Sequence, residues 1–280
     1  MHHLRALAYQ NHPYQWPTIG KELSHIEDAE LQDVKDFFFR FYRPSNAVMV
    51  VAGNVTVEEV RRLAEKWFGP IEAGIRPERN LPQEPIQTED RRKEVEAAVP
   101  MSAIYKAYPM AARMTDEFYS ANLLTDILGH GKSSRLVNTL VKDERIFHSL
   151  NAYVTGSTDP GLLIIEGKVN QDFSLEQAET RLMQEIQRLQ ESGFDADEVQ
   201  KVKNQSETAL AGADVELLNK AINLAYFTLL GDPDGFEEEL KKVERVTKEE
   251  IEDTFRRLIV PERSNTLLYK AIPQEDEAED

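Results

Sequence analysis

The sequence predicts an α+β fold, a two-layer sandwich of helices on a sheet, present as one partial and one complete copy. Three observations predict it. In the second half of the chain strand-like segments come first and several long amphipathic helices follow, the order of an α+β and not of a doubly wound domain. A charged stretch punctuated by Gly74, Pro77, Pro82 and Pro85 divides the chain. A helix–proline–strand pattern near the start recurs near the end.

Taken in order, Ala29 to Tyr42 has helical periodicity, with Leu31, Val34, Phe37, Phe38 and Phe41 on one face. Pro44 stops that helix, and Asn46 to Ala52 reads as a buried strand. Gly53-Asn54 turns the chain, and Thr56, with Glu59 three residues on, caps a helix that ends at Gly69-Pro70. The linker is expected over 74–92. Strands are then expected at Lys93–Val99 and Ser102–Tyr108, and a helix at Asp116–Leu128. After the Gly/Ser turn a helix over Ser134–Lys142, capped by Ser133, carries Leu136 and Leu140. Leu150–Thr155 and Leu162–Val169 read as paired strands. Helices follow at Leu175–Ser192, Asp195–Leu210, Val215–Leu229, Gly235–Val243 and Lys248–Leu258, and the strand Asn265–Ala271 closes the chain's last domain.

The repeat aligns Val34 to Asn46 with Ile251 to Asn265. In both an apolar residue stands ten positions before a proline, an Asp follows it by two, and Ser-Asn opens an apolar strand, after a short insertion in the second copy. Counted from Val95, 156 residues precede Ile251, whereas 33 precede Val34. Roughly 120 residues are therefore expected to be missing from the front of the first copy, and the chain is expected to be truncated, lacking a complete catalytic centre.

Composition narrows the function classes. The 280 residues carry 50 acids against 33 Lys and Arg, a formal charge of −17, which would repel a phosphate backbone and argues against a nucleic-acid partner. An acidic solvated surface is the plain reading, and a preference for basic peptides or a salt-rich habitat are the alternatives. The longest purely apolar run, Ala47 to Ala52, is far short of the roughly 20 residues of a membrane span. With no cysteine, disulfides, Cys-ligated zinc and thiol nucleophiles are excluded. No secretory signal follows Met1, and the periplasm or the cytoplasm of a bacterium would both fit. The acidic tail, 273–280, is expected to be disordered.

Candidate chemistry is sparse. None of His2, His3, His12, His25, His130 and His148 is spaced i, i+4 from another, and H-E-x-x-H and H-x-x-E-H are absent, so no metal ligands and no catalytic residues are assigned. Gly129-His130-Gly131-Lys132-Ser133-Ser134 resembles the end of a phosphate-binding loop. It has Asp126 where the first glycine belongs, however, and it follows a helix instead of a strand. No G-x-S-x-G elbow nominates a nucleophilic serine. His148, following Phe147, reads as a satisfied, partly buried histidine, and His12 to Gly20 as a rigid loop packed against a core.

Together, His12-Pro13-Tyr14 with Ile19-Gly20, Arg43-Pro44-Ser45-Asn46-Ala47 with Val51 to Asn54, and Leu128 to Leu136 resemble the pitrilysin/insulinase family of zinc metallopeptidases. The resemblance runs in order over nearly the whole chain. It implies two homologous α+β domains facing each other as a clamshell around an unfolded peptide. Residues 1–73 would be the rear part of a truncated first domain, 74–92 the linker, and 93–272 a complete, non-catalytic second domain. No cofactor is expected in this chain; zinc would belong to the missing N-terminal part. The second domain of the family commonly supplies an Arg and, seven residues later, a Tyr that hold the substrate carbonyl. Val141 and His148 stand there, so only His148 is carried over, as a substrate contact. The partners implied are a peptide substrate and the missing N-terminal domain or a catalytic homologue, and a dimer stays open. The alternative is a natural non-catalytic subunit or peptide-binding module that pairs with a zinc-bearing homologue. A hydrolase with an undetected triad is a third reading.

Overall fold

A computed structural model describes residues 1–213 and 215–272; the tail 273–280 lies outside the described residues. The helices are α1 (His2–Ala8), α2 (Ser24–Glu27), α3 (Leu31–Phe41), α4 (Val57–Trp67), α5 (Asp116–Leu128), α6 (Leu175–Ser192), α7 (Ala196–Ala213), α8 (Leu217–Leu229), α9 (Gly235–Arg245) and α10 (Lys248–Leu258). The strands are β1 (Arg91–Ala97), β2 (Ala103–Met110), β3 (Phe147–Val154), β4 (Gly161–Val169) and β5 (Asn265–Ala271). The chain divides into two compact units, one formed by Met1–Pro17, Pro82–Asn204 and the residues from Arg245 onward, the other by Thr18–Leu81 and Gln205–Glu244.

In the first unit the five strands form one sheet in the order β1-β5-β2-β4-β3, with β1 and β5 parallel and the other pairs antiparallel. Side chains alternate between the faces of a strand, so β2 shows how the sheet is covered. Ala107 joins Leu162, Ile164 and Leu267 under Leu4, Ala8 and Tyr9 of α1 and the residue after it. Lys106, its neighbour, points the opposite way, where its ammonium donates to Glu179 Oε1 of α6 at 2.9 Å and to Thr266 Oγ1 at 2.7 Å. The helices α5, α6 and α10 pack on that second face. Burial on both faces explains why Leu162 to Ile165 is an unbroken apolar run. Burial pushes the Glu179 carboxyl up, but Arg92 and Lys106 outweigh it and hold the group below its ordinary value.

The expected boundaries of α5, α6, α10 and β5 are those observed. Their ends are set by local chemistry: Ser174 Oγ accepts from the Gln177 amide and Thr247 Oγ1 from that of Glu250, satisfying donors that have no partner within the helix. The end of the expected linker is fixed to the sheet-bearing unit. Glu84 accepts from three successive amides, Gln10 at 2.7 Å, Asn11 at 2.9 Å and His12 at 3.0 Å. Gln87 is buried and its Oε1 accepts from Asn265 Nδ2.

The second unit contains the first copy of the repeat, and its backbone reproduces the second copy. Helix α3 becomes α10 on shifting Leu31 to Lys248, and the single 3-10 turn Pro44–Asn46 becomes Pro261–Arg263 under the same shift of 217. Tyr42 ends α3 at φ −92°, ψ 71°, and Ile259 ends α10 at φ −93°, ψ 76°. The copies therefore align without the expected insertion, so that Ala47 matches Ser264 and Val50 matches Leu267.

Their surroundings differ. Phe255 is 1% exposed and Phe38 50%; Ile251 is 0% and Val34 59%; Leu268 is 3% and Val51 48%. The expected buried strand Asn46–Ala52 is corrected accordingly. Asn46 ends the 3-10 turn, residues 47–52 belong to no strand, and Val48, Met49 and Val51 are exposed. A strand exists only through its ladder to a neighbour, and among the described residues this segment has none.

Candidate functional site

The segment from Val137 to Ser149, in the sheet-bearing unit, concentrates three departures from regular backbone. The helix expected over Ser134–Lys142 is π-helical over Val137–Asp143: Glu144 N–H donates to Thr139 O, five residues back, at 2.9 Å. Arg145, next in the chain, has φ +56°, the left-handed region that a residue with a Cβ enters at a cost. Asn170 holds it there, its Nδ2 donating to Arg145 O at 2.6 Å and its amide to Ile146 O at 2.9 Å. A β-bulge follows on β3. Phe147 pairs with Val169 and Ser149 with Lys168, so His148 is the extra residue. Such irregularities are over-represented where a fold aims side chains for function.

His148 is exposed, and its imidazole makes no hydrogen bond or ion pair among the described residues. The expectation of a satisfied, partly buried histidine is corrected by the bulge, which takes residue 148 out of the alternation that buries Phe147 and Leu150. Val141 is half-buried in the π-helical segment. Close approach maintains this geometry. A Cβ on Gly167 would lie 2.5 Å from the Phe147 ring, and one on Gly129 2.5 Å from the Ala152 amide nitrogen.

Helix α6 ties the segment down. Arg181 Nε donates to Glu144 Oε2 at 2.8 Å, and its Nη2 reaches the buried Glu185 at 3.1 Å. Thr139 Oγ1 donates to Glu185 Oε1 at 3.3 Å. The hydrogen bonds from Arg188, with the one from Arg181, outweigh burial and hold the Glu185 carboxyl below its ordinary value. Sequence reading did not find this network, because Thr139, Arg181 and Glu185 come together only in the packed structure.

Elsewhere the expected residues settle into structural positions. His12 is buried; its Nδ1 accepts from the Tyr14 amide at 3.2 Å, and its Nε2 lies 3.3 Å from Asp159 Oδ2. An accepting Nδ1 leaves the proton on Nε2, facing the carboxylate. Tyr14 packs edge-on to His12 and Tyr9, so the expected loop is packed in its first part, whereas Thr18 to Gly20 are exposed and that end of the expectation is corrected. Ser133 does not cap the following helix. Its Oγ accepts from Lys201 Nζ, while Ser134 Oγ donates to Gly131 O at 2.8 Å and closes the turn itself. His3 lies against Lys93. Among the described residues no three His, Cys, Asp or Glu side chains come together as metal ligands, and no described helix is long and apolar enough to cross a membrane.

With this geometry in view, comparison with known proteins decides the family. The sequence profile described as the peptidase M16 inactive domain matches residues 28–206. This chain belongs to that family. The pitrilysin/insulinase resemblance read from the sequence is thereby upheld, as is the α+β fold. The M16 chain is 24% identical over 206 residues to the zinc protease PqqE of Helicobacter pylori, covering 70% of this chain and 45% of that protein. To the uncharacterized zinc protease YmxG of Bacillus subtilis it is 25% identical over 268 residues, covering 95% of this chain and 64% of that one. The crystal structure of a protease from Helicobacter pylori superposes with a TM-score of 0.85 at 22% identity, covering 96% of this chain and 65% of that one, which shows the shared fold. This M16 chain thus spans less than two thirds of the length of each of these relatives.

Proposed function

We propose that this chain is the non-catalytic portion of a zinc metalloendopeptidase of the pitrilysin/insulinase type and forms part of the wall of its peptide-binding chamber. The inactive-domain match over residues 28–206 carries the reading, supported by two relatives named as zinc proteases. Residues 1–73 are then the rear part of a truncated first copy and 93–272 a complete second copy, joined by 74–92, with Met1–Pro17 and Pro82–Arg92 folded into the compact unit of the second. Zinc sits on the zinc-bearing N-terminal domain, supplied in one longer chain or by a catalytic homologue. The described residues of this chain bring together no metal ligands, so no step through the metal is assigned to them.

The part left to this chain is holding substrate. Among the described residues strand β3 is an edge of the sheet, paired with β4 alone, so an extended peptide can reach its outer backbone groups. His148 stands out from the bulge there and can donate to or accept from a peptide backbone. The net charge of −17 favours basic peptides.

The test is reconstitution. The chain alone is expected to leave a quenched fluorogenic peptide uncut. Mixed with a zinc-bearing M16 homologue, it is expected to raise zinc-dependent cleavage above that of the homologue alone. Cleavage by the chain alone, or no change on mixing, overturns the reading.

A further inference from the structure

We infer that Arg145 binds the free C-terminal carboxylate of an extended peptide laid antiparallel along β3, so that this edge selects peptide ends and sets their direction. This rests on the proposed function and names the substrate feature that its peptide-holding edge recognises.

The backbone points to Arg145 first. Its φ of +56° disfavours any residue with a Cβ, whereas glycine would adopt it freely. Strain of this kind persists only where the surroundings over-determine it, and it gathers at ligand clamps. Asn170 supplies the constraint, donating to the carbonyls of Arg145 and Ile146. The side chain does nothing for the fold in return. Ile146 and Phe147 are buried, but Arg145 is exposed, and its guanidinium makes no hydrogen bond or ion pair among the described residues. The acid beside it, Glu144, is committed to Arg181. A charged fork held in a strained position is thus left free for a ligand.

The position of Arg145 selects that ligand. It stands two residues before β3, where the strand at the sheet's edge begins. The bulge at His148 interrupts the regular edge, so a peptide paired with Ser149 to Val154 stops there. A peptide parallel to β3 would bring its terminal ammonium to this end, and an antiparallel one its terminal carboxylate. A guanidinium repels the first and takes the second through two parallel N–H···O bonds. Lys168, opposite Ser149, is exposed and has no partner among the described residues, a second cation at the same end. An acidic side chain fits less well, because the net charge of −17 works against an acidic peptide.

Fluorescence polarisation of the full chain with a basic peptide tests this. The peptide carries its fluorophore on the N-terminus and is made as the free acid and as the C-terminal amide. Amidation makes the peptide more positive, so the overall field of the chain alone would favour the amide. The free acid is expected to bind at least about tenfold more tightly. Arg145→Gly keeps the backbone conformation and removes the guanidinium, and is expected to cut that preference to less than about twofold. Its urea midpoint is expected to stay level or rise, because the strain is relieved. Equal affinity for the two forms, tighter binding of the amide, no binding of either, or a preference that survives Arg145→Gly overturns the inference. An amide with an internal Glu that binds as tightly as the acid also overturns it, since the carboxylate would then be a side chain's. So does a lower urea midpoint in Arg145→Gly, which would make Arg145 a structural residue. The readout needs neither zinc nor cleavage. Cleavage on reconstitution without the acid preference therefore sinks this inference alone, and the acid preference without cleavage sinks only the proposed function.

Discussion

Arg181 grips Glu144, the residue that closes the π-helical segment, through two parallel bonds, Nε to Oε2 at 2.8 Å and Nη2 to Oε1 at 2.5 Å. The same guanidinium reaches Glu185, whose carboxylate also takes Arg188 and Thr139. The irregular backbone leading to His148 is therefore held from α6. Glu185→Ala removes the buried hub, while both arginines, partly exposed, return to water. Losing hydrogen bonds to a charged group then costs about 1–3 kcal/mol, measured as a lower urea midpoint at unchanged slope.

The pH dependence follows from the same carboxylate. Glu185 is held below its ordinary value of 4.5 in the folded chain. A depressed acid contributes stability that is fully present above the unfolded value and is lost as pH falls through the folded one. Glu179 and Glu84 are shifted in the same direction. Thermal midpoints are expected to hold steady above pH 4.5 and to fall as pH is lowered below it, less steeply in Glu185→Gln. An equal slope in that variant would remove Glu185 from the account.

Gly167 gives the bulge its room. With a Cβ at 2.5 Å from the Phe147 ring, Gly167→Ala forces the buried ring to move. Overpacking of this kind costs about 1–3 kcal/mol. Chemical denaturation measures the cost, and amide shifts of His148 and Ser149 show whether the bulge moves with the ring.

His148→Ala separates function from folding. An exposed, unpaired side chain leaves stability within about 0.5 kcal/mol. If His148 holds a peptide, losing one hydrogen bond raises KM of the reconstituted peptidase roughly threefold to tenfold. Unchanged KM would leave His148 without a role.

The repeat provides an internal control. Phe255→Ala empties a buried site and should cost about 3–5 kcal/mol. Phe38→Ala, at the matching position, should cost less than about 0.5 kcal/mol in the isolated chain, because its ring is half in water already. Parallel urea titrations of the two variants check the contrast.

Much of the fold was legible because its signals are local. The helix Leu175–Ser192 announces itself by apolar spacing, and the Thr56 cap with Glu59 does the same for α4. The candidate site was legible only in part. The resemblance pointed to position 148, but nothing near His148 in the sequence tells of the bulge, which comes from how Phe147 and Ser149 pair with Val169 and Lys168 across the sheet.

The sequence by itself determined the α+β class, the repeat and the membership of a zinc-peptidase family, since periodicity, caps and motif order are carried by neighbouring residues. Only the tertiary structure decided that Asn46–Ala52 is not a buried strand, that His148 is exposed and that Ser133 caps nothing. Each of those depends on a partner distant in the chain. An apolar run becomes a strand only beside another strand, and Val48 to Val51 has none among the described residues, whereas the matching Asn265 to Leu268 has two.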